Sequence, residues 1–482
     1  MSLAAASIQN IEITRTDAVN RMDSSRPGTA QEPEIGKADD KRLRQELAYF
    51  SSSFFAPEVA HARKEFLTIV LRAIGLTLLL MWTCLPAYWG ALAFSSSLTN
   101  NLTVWFIDRD QSRIGHALWN DIANNTNPGP QLGWVAVDAQ SAGSDDDIMA
   151  AVVNQQTWLA LVVEANATQS LALARQHGDS TYDPTSALTL YYAQARQEVA
   201  AGNYLIPLST SLLQQSTTAW ATTSAQQYLA EIYANGQVNQ TALQLLAKAP
   251  QTISPGISWR TVNLRPYDAP VATAVILVGQ IFLCIFAFIV AMANASARAL
   301  IQKQLRLRSY LALRFAVPLL AYIPMSLTYA LVSIAFQLPT NARYSAVGGF
   351  FLFWMYVYMG MAALGLALES MITLLTPKFT PFFLFSLIIV NISSAALPDA
   401  LQPSFYSLSV AFPVWNLSQA MRTIVFNTQS YLAQNAGVLI GWSLMSSMTL
   451  IGFTWYFRRC EIIAALRNEP QERDGEGSKE KN

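Results

Sequence analysis

Histidine and cysteine are nearly missing from this sequence, at three residues each in 482. His61, His116 and His177 have no Cys or His partner at metal-ligand spacing, which excludes the common zinc patterns, and each reads as a surface residue. Cys84, Cys284 and Cys460 fall in or beside apolar runs, so the polar region between the first two has no pair for a disulfide and must hold itself together by packing. Charge is scarce as well, at 13% of residues, with 31 basic against 31 acidic side chains. A net charge of zero excludes the basic surface that a nucleic acid requires, and no such partner is expected. Neither the G-x-x-x-x-G-K-[ST] loop that cradles phosphates nor the G-x-S-x-G elbow of a serine hydrolase occurs. The run Asp145-Asp146-Asp147 follows a loop containing Gly and Ser and reads as a solvated turn. The chain is therefore read as not an enzyme, with no cofactor and no metal.

What is abundant is apolar surface, 52% of residues, and it is segregated along the chain. Six runs are long enough, or nearly so, to cross a hydrocarbon core of roughly 30 Å at about 1.5 Å per residue. They are Ala73–Phe94, Val271–Ala293, Phe315–Phe336, Ala346–Leu368, Pro381–Leu397 and Gly437–Phe457, of which the fifth is the weakest. The expected fold is a polytopic α-helical membrane protein with one transmembrane helix, a large polar domain, then five more helices. Its parts are a disordered cytosolic tail (1–60), the first transmembrane helix (61–94), an extracytosolic domain (95–268), a five-helix membrane domain (269–457) and a second cytosolic tail (458–482). The two tails are too polar to bury enough surface to offset chain entropy. The first run starts some 70 residues in and lacks a short basic leader, so it reads as an uncleaved signal anchor.

Lys and Arg set the orientation. Arg63, Lys64 and Arg72 precede the first run closely, which puts the N-terminus in the cytosol. Six crossings return the C-terminus there, and place Arg298, Lys303, Arg306, Arg308, Arg314 and the pair Arg458-Arg459 on the same side. The expected location is the plasma membrane or another secretory-pathway membrane, and Cys460 beside that pair suits palmitoylation as well as it suits a free thiol.

Within 95–268, short runs rich in Val, Ile, Leu and aromatics predict strands at Thr103–Ile107, Gly133–Val137, Trp158–Val163 and Leu188–Tyr192. Helical spacing follows at Asn166–Gln176 and Leu205–Tyr233, so the domain is a mixed α/β unit. N-x-[ST] acceptors at Asn101, Asn124, Asn166 and Asn239, with a further one at Asn416, are the candidate glycosylation sites of a eukaryotic protein. The same short pattern at Asn294 and Asn391 falls at a cytosolic helix end and inside a span, which shows how readily it arises by chance.

The segment 399–436 is too long for a tight turn. Its stretch Pro413 to Phe426 mixes aromatic, small and apolar residues with one cation, and reads as an interfacial or re-entrant helix in which Trp415, Leu417, Ile424 and Phe426 are buried while Asn416 and Arg422 stay near the polar boundary. Polar groups inside apolar runs are costly unless they face protein or water. The candidate functional residues are accordingly Arg422, Asn416, Glu369, Gln280 and Asn391, the last beside Ser393 and Ser394. Interhelical hydrogen bonds that merely assemble the bundle are the competing reading for these groups, and Glu369, at the end of its run, fits the headgroup level. Pro86, Pro318 and Pro324 interrupt apolar runs and are expected to kink them. Gly437-x-x-x-Gly441 is a weak signal for close helix approach, and with it for a homo-oligomer.

Three stretches carry a resemblance. Val104-Trp105-Phe106-Ile107-Asp108-Arg109-Asp110 with Ile114-Gly115, Trp158 to Val163 with Asn166-Ala167-Thr168, and Asn416 to Phe426 resemble the fungal nitrosoguanidine-resistance membrane proteins over roughly Phe66 to Phe457. More remotely, the plan of one helix, an outside domain and five helices resembles phage-infection-protein-like proteins and the permease halves of ABC exporters. The resemblance implies a permease-like protein that contributes to tolerance of toxic or lipophilic compounds by export or by altering the membrane. It brings no catalytic residues with it. Lacking a nucleotide motif, such a protein would need a separate ATPase subunit or a coupling ion, for which Glu369 is the candidate acid. The alternative is a non-transporting scaffold or trafficking factor whose outside domain binds a partner. An intramembrane enzyme acting on lipid is the weakest reading, because no His or acid cluster supports it.

Overall fold

The computed structural model describes residues 52–233 and 238–468. The tails expected at 1–60 and 458–482 lie largely outside these residues, and where they are described they are not tails. A 3₁₀ turn at Pro57–Val59 leads into helix α1, Ala60–Ala93, and the last helix continues through Arg458 to Asn468. The chain divides into two compact units, up to Leu76 and from Thr77 onward. In the first, the Arg63 guanidinium donates to the Phe54 carbonyl at 2.9 Å, and the Phe54 ring meets Phe55 and Phe66 edge-on.

The second unit contains a five-stranded sheet, β1 Thr103–Asp108, β2 Gly133–Val137, β3 Leu159–Val163, β4 Leu188–Tyr192 and β5 Trp259–Asn263, in the order β2-β1-β3-β4-β5. Only β3 against β4 is antiparallel. The central strand β3 is Leu-Ala-Leu-Val-Val and every residue is buried, as a strand covered on both faces must be. Leu159, Leu161 and Val163 face one core with Ile114 and Leu118 of α2 (Arg113–Ala123), while Ala160 and Val162 face another with Ile148 and Val152 of α3 (Asp145–Val153). Helices α4 (Ala167–His177), α5 (Ile206–Ile232) and α6 (Gln240–Lys248) complete the domain.

The acidic run is the first turn of α3 and not a solvated turn. Ser144 accepts from the Asp147 amide and its own amide donates to the Asp147 carboxylate at 2.9 Å, a capping box that places three negative charges where the helix dipole favours them. The Ser144 hydroxyl also donates to the Asp147 carboxylate at 2.7 Å, and this bond, with that of the Ser144 amide, holds the Asp147 carboxyl below the ordinary range. The strand-end sequence Asp108-Arg109-Asp110 is similarly occupied. Asp110 accepts the Thr168 amide at 3.0 Å and its hydroxyl, the Ile114 amide donates to that hydroxyl oxygen at 3.2 Å, and Arg109 reaches Asp145 at 2.5 Å. Gly115 is required beside them, since a Cβ there would lie 2.1 Å from the Asp108 carboxylate.

Among the described residues five helices are long and apolar enough to cross a membrane: Pro57–Ala93, α7 Val271–Ile301, α8 Leu307–Ala335, α9 Ala346–Ala395 and α11 Leu432–Ala464, the last running on to Asn468. Pro86, Pro318 and Pro324 sit inside helices, whereas the break falls in α9. Its 50 residues would measure about 75 Å if straight, but Thr376 has φ 64° and ψ 159°. Pro377 explains the position: a residue before proline is driven out of the helical region, and the positive φ adds strain for a β-branched side chain. The two arms, 346–375 and 377–395, lie against each other. Leu364 of the first and Leu387 of the second line one small cavity, although 23 residues of straight helix would separate them by about 35 Å.

Helix α10, Pro413–Phe426, packs on α9 and α11 and is buried along nearly its whole length. The Leu417 side chain fills the space left by Gly360, where a Cβ would be 2.4 Å from it. Truncating a side chain seated this closely removes apolar contact and leaves a void. Leu417→Ala is expected to cost about 2–5 kcal/mol, seen as a lowered melting temperature of the detergent-solubilised protein. Leu408→Ala, at a position 62% exposed, should leave it unchanged.

Candidate functional site

The turn after β4, residues 194–198, joins the sheet domain to the membrane helices. Arg196 donates to the Thr157 carbonyl at 2.9 Å and lies over the Trp158 ring, 3.5 Å from its centre. Gln197 donates to the Ala396 carbonyl at 3.1 Å, just beyond the end of α9. Glu198 accepts from the Arg422 guanidinium, which also donates to the Ala195 carbonyl at 3.2 Å. The cores are exchanged in the same way. Ala195 belongs to the core of the membrane helices, and Leu397 and Leu401, from the segment after α9, belong to the core beneath the sheet.

Against this joint lies a cavity of about 330 Å³, lined by Arg196, Trp158, Trp415, Arg422, Asp399 and Tyr431 among others. Its wall mixes aromatic and aliphatic side chains with neutral polar groups and three charged ones, Arg196, Arg422 and Asp399. Loss of solvent pushes the Arg196 guanidinium down to about 9, with Asp399 and Tyr431 opposing the shift, so it remains a cation at neutral pH. The arrangement can take an amphipathic molecule, its apolar part on Trp415 and Leu397 and a polar or anionic group toward Arg196.

The expectation that Arg422 and Asn416 stay near the polar boundary is corrected. Arg422 is 3% exposed and Asn416 fully buried, while Trp415, expected to be buried, is partly exposed at the cavity wall. Burial of the Arg422 guanidinium and of the Asn416 amide nitrogen is possible because these donors have partners, whereas Asn416 Oδ1 has none among the described residues. Arg422 has Glu198, and the Asn416 amide donates to the carbonyls of Val410 and Phe412 at 2.7 and 2.9 Å, closing the start of α10. An Asn in that role has no room for a glycan, so Asn416 is removed from the glycosylation candidates. Asn101, Asn124, Asn166 and Asn239 are all exposed. The Asn101 amide donates to the Ala400 carbonyl at 3.1 Å, Asn239 caps α6, and Thr168, the third residue of the Asn166 pattern, is engaged by Asp110.

Gln280 and Asn391 are brought together. They line the same small cavity, the one shared by Leu364 and Leu387, where Asn391 accepts the Val414 amide at 3.2 Å and thereby satisfies the first turn of α10 inside the bundle. Gln280 donates to the Val275 carbonyl at 2.8 Å, within the π-helical turn Ala274–Val278 that opens α7.

Glu369 belongs to a different group. It is fully buried and accepts from Arg298 and from Arg314 Nε at 2.9 Å. Arg314 also donates to Thr454 of α11 at 2.8 Å and to the Glu369 carbonyl at 2.5 Å. The Tyr310 ring lies 5.8, 5.9 and 5.0 Å from the guanidinium carbons of Arg298, Arg314 and Arg458. Sequence reasoning counted Arg298 and Arg314 only as cytosolic loop charges. Their position inside helical runs, short of the true loop 302–306, was the available signal. A Cβ at Gly437 or Gly441 would have no atom of the described residues within 4 Å apart from its own helix backbone and chain neighbours, and Cys460 is exposed. Among the described residues no cluster of His, Cys, Asp and Glu is suited to a metal ion.

Removing the shared acid leaves two guanidiniums buried and unpaired. Glu369→Gln is expected to destabilise the protein by about 3–5 kcal/mol. Asp145→Asn, at the half-exposed pair with Arg109, should cost about 1 kcal/mol or less. Thermal unfolding of the two variants in the same detergent checks the difference.

Comparison with known proteins places these features in a family. No solved structure matches the chain. An uncharacterized endoplasmic reticulum membrane protein of Saccharomyces cerevisiae is 21% identical over 454 residues, which cover 88% of this chain and 87% of the relative. A family described as a protein of unknown function (DUF3533) matches residues 74–448. That stretch begins in α1 and ends in α11, taking in the sheet, the cavity and the buried ion group, and this membrane protein belongs to the DUF3533 family.

Proposed function

We propose that the chain is a permease-like membrane protein, not an enzyme, that contributes to tolerance of toxic or lipophilic compounds. The observation that carries this reading is the amphipathic cavity at the joint, with Arg196, Trp158 and Trp415 on its walls. On this reading α9 crosses twice, once in each arm, because both arms are apolar and Thr376 breaks the helix between them. Six crossings then put both termini in the cytosol and the sheet domain on the far side. The name of the yeast relative supports the endoplasmic reticulum as the membrane. The resemblance to nitrosoguanidine-resistance proteins and to ABC exporter permeases supports the activity, and a separate ATPase subunit would supply the energy.

A second reading, a scaffold or trafficking factor whose sheet domain binds a partner, is favoured by the Arg298–Glu369–Arg314 group. It ties α7, α8 and α9 to one another and, through Thr454, to α11, as a static anchor would require.

The two readings differ in what the cavity wall must do. Trp415→Ala and Arg196→Gln should each reduce growth on toxic lipophilic compounds at least several-fold at unchanged protein abundance. Arg422→Glu, which places a second acid beside Glu198, should abolish tolerance, at a cost of roughly 2 kcal/mol or more in the folded protein. Full tolerance in the two wall variants would leave the scaffold reading standing. Orientation has its own check. Glycosidase treatment should shift the mobility of the protein through Asn101, Asn124, Asn166 or Asn239, and a tag at residue 1 should be digested only from the cytosolic side.

A further inference from the structure

Two arginines meet at a second cavity with no acid to neutralise them. Arg265 follows β5, Arg343 lies in the loop between α8 and α9, and both line a cavity of about 560 Å³ together with Asn427, Thr428, Gln429 and Asn154. Arg265 is anchored by Nε to the Asn427 carbonyl and by Nη1 to the Leu264 carbonyl, both at 2.7 Å. Arg343 is exposed, and its contacts to Asn427 Oδ1 and the Thr428 carbonyl are long, at 3.4 and 3.5 Å. Among the described residues neither guanidinium pairs with a carboxylate. Burial and, after it, the charge of Arg343 push Arg265 below its ordinary range.

The position of this pair is as informative as its charge. Arg265 comes just before α7 begins at Val271, Arg343 just before α9 begins at Ala346, and Gln429 and Ser430 just before α11 begins at Leu432. The cavity thus lies beside the chain segments that lead into three of the long apolar helices. Where apolar helices begin, a bilayer changes from hydrocarbon to phosphate. Two guanidinium forks with free donors, in a concave site at that depth, match the shape and charge of a phosphate oxyanion.

We propose that the Arg265–Arg343 cavity binds a phosphate group. A phospholipid headgroup and free inorganic phosphate both carry that chemistry. The assignment does not depend on whether the protein transports anything.

The test uses the full chain purified in a phosphate-free detergent, with its melting temperature followed against rising dioctanoyl phosphatidic acid, dioctanoyl phosphatidylcholine, inorganic phosphate and dioctanoylglycerol. Stabilisation by the phospholipids, with a half-saturating concentration at least tenfold higher in Arg343→Gln, is the expected result and assigns a headgroup. Stabilisation by inorganic phosphate alone, with the same loss in Arg343→Gln, also supports the site and assigns a soluble anion. Equal response of wild type and Arg343→Gln overturns the proposal, as does equal stabilisation by dioctanoylglycerol, which has the tails without the phosphate. Arg265→Gln gives a second measure of binding. Because Arg265 also holds the backbone at Asn427, the decision rests on Arg343→Gln, whose exposed side chain leaves the fold intact.

Discussion

One carboxylate holds the membrane helices in register. Glu369 takes a guanidinium from α7 and another from α8, and Arg314 extends the contact to α11. In an apolar surrounding either cation without the acid, or the acid without them, would be a buried unpaired group costing several kcal/mol. A slip of α7, α8 or α9 along its axis would strand a charge, which costs far more than the loss of a few methylene contacts. Tyr310, beside both guanidiniums and Arg458, adds an aromatic face to a group that remains one positive charge in excess.

The same rule, that a buried polar group must be answered, governs α10. A helix that starts and ends inside a bundle exposes its first amides to an environment without water. Asn391 answers one of them at Val414, Asn416 occupies two carbonyls in the turn that precedes it, and Arg422 carries the far part of the helix onto Glu198 of the sheet domain. The side chains that look functional in a list of intramembrane polar residues therefore divide. Asn391 and Asn416 complete the backbone of one helix, while Arg422 joins two parts of the molecule.

How much of this is legible in the sequence depends on whether the information is local. The strands β2 and β4 and the helix α10 agree with their sequence patterns to the residue, because apolar runs bounded by turn residues, and Pro at the first helical position, act within a few residues of themselves. Strand β5, Trp-Arg-Thr-Val-Asn, has too little apolar content to be seen and exists because β4 offers it an edge. The pairing of Glu369 with Arg298 and Arg314, 71 and 55 residues away, is not encoded in any local pattern. Charges near a helix end read as topology markers until the neighbouring helix is known. The N-x-[ST] pattern fails at Asn416 for the converse reason, since three residues specify a chemical acceptor and say nothing of its burial.

The joint between sheet domain and membrane helices sets what the cavity beside it can transmit. The Arg422–Glu198 pair, the Gln197–Ala396 bond and the exchanged residues Ala195, Leu397 and Leu401 leave no soft linker at this point. A molecule entering between Arg196, Trp415 and Asp399 touches the turn 194–198, the end of α9 and the wall of α10 at once. Its binding energy would then be divided between two bodies that already share their cores, and only the part that differs between two arrangements of the joint could move them. A permease needs that difference to be large, and a scaffold needs it to be small. Because Arg422 is the single cation of α10 and its acid lies on the other side of the joint, this ion pair is one of the contacts that would have to break, with the Gln197–Ala396 bond and the exchanged core residues, before the two bodies could part.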